Sequence, residues 1–95
     1  MTTRREKIEE LLLEGYYSVP ELAKTFGVRP SIIVEDLKHL LHSLKVKGYH
    51  LRTTQIVCYK CGRRTLPRGL HYISRCPECG STHIERPRYH LEKIL

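Results

Sequence analysis

Residues 18–40 read SVPELAKTFGVRPSIIVEDLKHL, two helix-forming runs joined at a glycine. Ser18-Val19-Pro20-Glu21 is a capping box. The Ser18 hydroxyl can accept from the Glu21 backbone N–H while the Glu21 carboxylate reaches back to Ser18. Pro20 falls in the first turn, where its missing N–H costs little. Val19, Leu22, Ala23 and Phe26 make the apolar face of this helix, and Gly27 ends it. The second run opens at Pro30, again a first-turn proline, and carries Ile33, Leu37, Leu40, Leu41 and Leu44 as its core stripe. It is expected to end near Lys45–Gly48, with basic residues at the negative end of the helix.

Working outward, an N-terminal helix is expected from Thr3 to Glu14, with Ile8, Leu11 and Leu12 at helical spacing and Gly15 stopping it in left-handed geometry. Ala23 is small where the next two helices would cross, Gly27 makes the turn, Val28 lies beneath it, and Ile33 and Leu37 fasten the last helix. This pattern resembles a helix-turn-helix. From Tyr49 the pattern changes. Residues 49–57 are rich in β-branched and aromatic types and predict one or two strands, which together with the helices resemble a winged helix. Residues 64–75 predict a short hairpin or a loose loop. Residues 82–86 and 89–94 predict two further strands separated by Pro87.

Between these strands lie CYKCG (58–62) and CPECG (76–80), with 14 residues separating Cys61 from Cys76. Two residues between paired cysteines let both sulfurs reach one ion from a tight turn, and Gly62 and Gly80 relieve the backbone behind them. Cys58, Cys61, Cys76 and Cys79 supply a closed set of four thiolates, which suits one structural zinc, with iron as the alternative. His71 and His83 are expected to lie at the surface or behind the ligands. These 23 residues resemble rubredoxin-like zinc ribbons. Rubredoxins hold redox-active iron and are acidic with an aromatic core, whereas this segment is basic, lacks Trp and offers only Tyr59 and Tyr72. That departure favours zinc.

The whole chain resembles a family of small archaeal winged-helix transcriptional regulators with an inserted rubredoxin-like ribbon. The resemblance implies an α+β fold: a winged helix-turn-helix over 1–57, a four-cysteine zinc ribbon over 58–80 inserted in the wing region, and a terminal segment, 81–95, reading IERPRYHLEKI near its end and returning to the winged-helix sheet.

The chain has 95 residues, a net charge of +7 and a pI near 9.5, which favours polyanionic partners. Residues 1–47 carry a net +1 and residues 48–95 a net +6, so the basic excess is C-terminal. By its alignment with helix-turn-helix proteins, the last helix would offer Arg29, Ser31, Ile32 and Glu35 to base edges, with Lys38 and His39 further along. Glu35 and Asp36 would set two negative charges near phosphates, and Ile32 and Val34 would add apolar groups off the core stripe. Both features raise the alternative that this face packs on a protein, including a second copy of the chain. Phosphate contacts are expected from Arg52, Arg63, Arg64 and Arg68, with Lys60, Arg75, Arg86 and Arg88 in the same basic set.

The expected function is a DNA-binding transcriptional regulator with double-stranded DNA as its partner. The alternatives are an adaptor of the transcription or RNA machinery and, third, an iron rubredoxin-like electron carrier. No nucleophile motif, Gly-rich phosphate loop or carboxylate pair points to an enzyme or a small-molecule substrate. No stretch approaches a membrane span, the charged N-terminus is unlike a signal peptide, and cysteines paired as C-x-x-C point to a reducing, cytoplasmic setting.

Overall fold

Thr3 caps the first helix, α1 (Arg4–Glu14), its hydroxyl accepting from the Glu6 N–H at 3.2 Å. The computed structural model describes residues 3–70 and 72–94. Among these, three helices and two antiparallel three-stranded sheets make a small α+β protein. Gly15 does not take the left-handed geometry expected of it. Its φ of −169° and ψ of −166° are extended, because the chain runs straight from α1 into a two-residue strand, β1 (Tyr17–Ser18).

The capping box forms as the residue pattern predicts. Ser18 Oγ accepts from the Glu21 N–H, the Glu21 carboxylate accepts from the Ser18 N–H, both at 3.3 Å, and α2 (Val19–Phe26) follows. Gly27 closes α2 at φ 64°, in the left-handed region. The Gly27 N–H donates to the Lys24 carbonyl and the Val28 N–H to the Ala23 carbonyl at 3.0 Å, so the last turn is satisfied and Val28 is folded back onto the core. Two residues later α3 (Pro30–Val46) begins, with Arg29 at its N-cap making no side-chain cap bond.

Strands β2 (Tyr49–Thr53), β3 (Ile56–Cys58), β4 (Arg64–Thr65), β5 (Ile84–Glu85) and β6 (Arg88–Lys93) complete the chain. The last of them, β6, is the centre of the first sheet, in order β1-β6-β2. Tyr17 faces Tyr89, and β2 runs antiparallel with Leu51 opposite Leu91. The second sheet has the order β4-β3-β5. The run 49–57 is thus two strands in two sheets, broken at Thr54-Gln55. In the second sheet Val57 faces Glu85 and Cys58 faces Ile84, so β3 and β5 flank the cysteine segment on both sides.

Each sheet has its own core. Ile8 and Leu12 of α1, Val19, Leu22 and Ala23 of α2, Ile33, Val34, Leu37 and Leu44 of α3, and Tyr89 and Leu91 of β6 are buried together. Alternation along β6 sends Tyr89 and Leu91 inward and leaves Arg88 exposed. The second core is small: Ile56, Cys58, Ile73, Cys76 and Ile84.

Two expectations about α3 are corrected. Val34 is buried in the first core, because α1 and α2 both pack on α3 and widen its buried face beyond one stripe. Asp36 is only 1% exposed and does not face solvent. Arg4 Nε donates to its Oδ2, and Arg5 Nε to its Oδ1 at 2.9 Å. Burial pushes the Asp36 carboxyl up, but the bonds and charges of the two arginines outweigh it and hold the group below the usual carboxylate range.

Candidate metal centre and nucleic-acid face

The two C-x-x-C-G turns fold alike. The Cys58 N–H donates to the Arg63 carbonyl at 3.0 Å and the Gly62 N–H to the Cys58 carbonyl at 2.9 Å. The Cys76 N–H donates to the Ser81 carbonyl at 2.8 Å and the Gly80 N–H to the Cys76 carbonyl at 2.9 Å. Each turn needs a left-handed residue to close, and Gly62 (φ 74°) and Gly80 (φ 76°) supply it.

This geometry gathers the four sulfurs to within 4.8 Å of one another. Cys58 and Cys79 Sγ are 3.5 Å apart and Cys61 and Cys76 Sγ 3.8 Å, far beyond disulfide length, and all four are free thiols. A tetrahedral ion with metal–sulfur bonds of about 2.3 Å needs sulfurs about 3.8 Å apart, so the set fits one metal ion. All four positions would be filled by protein, leaving none for water or substrate. Cys58 and Cys76 are buried on the protein side, while Cys61 and Cys79 are exposed.

The thiols are unequal. The Cys61 N–H donates to Cys58 Sγ at 3.4 Å and, with the Lys60 N–H and the neighbouring thiols, outweighs burial to bring the Cys58 thiol down to about 6. At Cys61 the Arg63 N–H favours the thiolate, but burial and the thiols of Cys58, Cys79 and Cys76 push it up to about 11. Protons and metal therefore compete for the cluster. His83 contributes no ligand. Its carbonyl accepts from the Tyr59 N–H at 2.9 Å, bracing the first turn from behind. His71 lies outside the described residues.

Of the residues picked for nucleic acid, Arg29, Ser31, Glu35 and Lys38 are exposed on α3 and Ile32 is half-buried. Ser31, Glu35 and Lys38 follow one another at i, i+4, i+7, so they form one outward stripe beside Ile32 and His39. With Asp36 turned inward, Glu35 is the one acid on this face. Arg52 lies on the outward face of β2, away from the core into which α3 packs. Its Nε donates to Glu92, which holds both groups in their charged forms. Arg88 is drawn to Glu21 at 3.3 Å, and Arg63 to Glu78 at 3.7 Å. Arg64, Arg68, Arg75 and Lys60 are exposed and make no ion pair among the described residues. The basic set is therefore not one uniform surface. Part is neutralised in place and part, mostly around the cysteine segment, is free.

The tie from Asp36 to Arg4 and Arg5 escaped the sequence reading. The signal for it was spacing: Asp36 stands three residues after Ile33 and beside Leu37, at the edge of the core stripe. An acid there must find a partner from another element. Among the described residues no helix is long and apolar enough to cross a membrane.

No curated protein matches the sequence. The solution structure of protein PF0610 from Pyrococcus furiosus is similar at 44% identity, over 94% of this chain and 88% of that one, with a TM-score of 0.76. Residues 3–52, which hold all three helices and most of β2, match the family described as PF0610-like, N-terminal. The chain therefore belongs to the PF0610-like family, an archaeal family.

Proposed function

We propose that this protein is a winged-helix DNA-binding transcriptional regulator whose second sheet is a zinc ribbon of structural role. The observation that carries this reading is the outward face of α3. Arg29, Ser31, Ile32, Glu35 and Lys38 stand clear of the core on a helix held by a tight Gly27 turn against α2. That is the disposition by which a recognition helix enters a major groove. Arg29, at the N-cap with its side chain free of a cap bond, would meet a phosphate or a guanine edge in this reading. Lys38 stands about two and a half turns on, for the backbone. Glu35 can accept from a cytosine amino group, and Ile32 can meet a thymine methyl. Arg64 and Arg68 on the ribbon add free positive charge for flanking phosphates.

Turning Asp36 inward removes half of the negative charge that would have opposed a phosphate backbone. It also removes part of the basis of the adaptor reading, which leaned on an exposed Glu35–Asp36 pair with exposed Ile32 and Val34; of the two apolar groups only Ile32 stays off the core. The closed thiolate set suits zinc or iron, and the basic chain without Trp supports the zinc reading. Protein from the native source would be colourless with zinc and would absorb visible light with ferric iron.

The test is selection of metal-loaded protein against randomised duplexes. A recurrent site should emerge, and Glu35→Gln and Ile32→Ala should each relax the preference at one position of it by about 1–3 kcal/mol. Recovery of no enriched sequence overturns the regulator reading.

A further inference from the structure

Between the two cysteine turns the chain folds around an open groove of about 560 Å³, within the range of ligand clefts. Ile56 and Ile73, buried in the second core, also line it and form its base. Tyr72, Arg68 and Arg75 line it too. The Tyr72 ring is held in place rather than loose. The Arg86 guanidinium lies 5.7 Å from its centroid, and Arg86 Nε donates to the adjacent Ile73 carbonyl at 3.2 Å. Tyr72 as a whole is still 42% exposed. Arg68 and Arg75 make no ion pair among the described residues, whereas the acid lining the groove, Glu78, faces Arg63 at 3.7 Å. The groove thus combines a propped aromatic ring, two arginines without an ion pair and one acid that faces Arg63.

We propose that this groove binds single-stranded nucleic acid, one base stacking on Tyr72 while Arg68 and Arg75 take the flanking phosphates. A positively charged groove with a presented ring is the pattern for such ligands, since every base has a face to stack. An acidic peptide would engage the arginines and leave the propped ring idle. A duplex would keep its bases stacked on one another and out of reach of it. The groove shares Arg68 with the duplex reading above, but Tyr72 and Arg75 play no part in that reading, and the proposal stands on them without it.

Full-length, metal-loaded protein is titrated into labelled oligo(dT), oligo(rU) and a closed duplex hairpin at low salt. Single strands should bind, Tyr72→Leu should weaken them roughly 5- to 100-fold, and Arg68→Ala with Arg75→Ala should flatten their salt dependence. Duplex affinity should not respond to Tyr72→Leu. An unchanged visible spectrum of the cobalt(II)-loaded variants shows that the ribbon is intact. Equal single-strand affinity in wild type and variants overturns the proposal, as does a polyglutamate peptide of equal charge binding as tightly as the oligonucleotide. Duplex binding with none to single strands also overturns it, and leaves the α3 reading standing.

Discussion

Arg5, the second residue of α1, donates its Nε–H to Asp36 Oδ1 on α3 at 2.9 Å. With the neighbouring Arg4 it ties the first helix to the third and takes an acid off the face that α3 presents outward. The arginine heads remain 39% and 45% exposed, so solvent screens them, while the carboxylate is almost fully enclosed.

Asp36→Asn should therefore destabilise the protein at neutral pH by about 1–2 kcal/mol, discounted for that screening. The native carboxyl titrates below its unfolded value of about 3.9. Its contribution is present in full above that value and is lost as pH falls through the lowered one. Paired thermal melts of wild type and Asp36→Asn should differ at pH 7 and converge below about pH 4. A constant gap across that window would contradict the assignment.

Metal removal should act on one sheet more than the other. Two of the five buried residues in the second core are the ligands Cys58 and Cys76, whereas the first core packs three helices on β6 without them. Chelation, or Cys58→Ser, should melt the β4-β3-β5 sheet while helical circular dichroism is largely kept. Amide exchange would show protection lost at Val57 and Glu85 but retained at Leu22 and Leu37. Collapse of the whole helical signal on chelation would mean that the cores are not separable.

Gly62 and Gly27 separate conformational strain from crowding. A Cβ at either position meets no atom within 4 Å, yet both have φ in the left-handed region, 74° and 64°. Alanine at each should cost about 1–2 kcal/mol through backbone strain alone. For Gly62→Ala the loss should appear as roughly 5- to 30-fold weaker metal binding. For Gly27→Ala it should appear as a lower melting temperature with metal affinity unchanged.

Metal affinity should rise with pH through neutrality. Without metal, the Cys58 thiol is ionised above about 6, while Cys61 keeps its proton to about 11. Loading at pH 7–8 must displace that proton, so affinity should gain about tenfold per pH unit for each proton released. Chelator competition at pH 7 and pH 8 measures the gain. A flat response would show that Cys61 is already a thiolate.

The parts legible in the chain were those governed by neighbours in sequence. The Ser18–Glu21 box, the Gly27 stop and the paired cysteine turns each depend on contacts within five residues, and each forms as expected. What was hidden depends on distant partners. The strand Tyr17–Ser18 exists because Tyr89 and Arg88 lie beside it, and a two-residue strand has no pattern of its own. The split of 49–57 between two sheets follows from β6 claiming β2 and from β4 and β5 claiming β3. The inward turn of Asp36 waits on two arginines from α1, and the groove at Tyr72 on Arg86 from beyond the second cysteine turn.

The central claim is that α3 meets duplex DNA. Its most direct test is fluorescence anisotropy of metal-loaded protein on labelled duplex across a salt series, comparing wild type with Arg29→Ala/Lys38→Ala. The account predicts wild-type binding whose log affinity falls linearly with log salt, and a variant that binds more weakly with a slope shallower by roughly 2. Superimposed curves for the two proteins, or no wild-type binding at low salt, would contradict it.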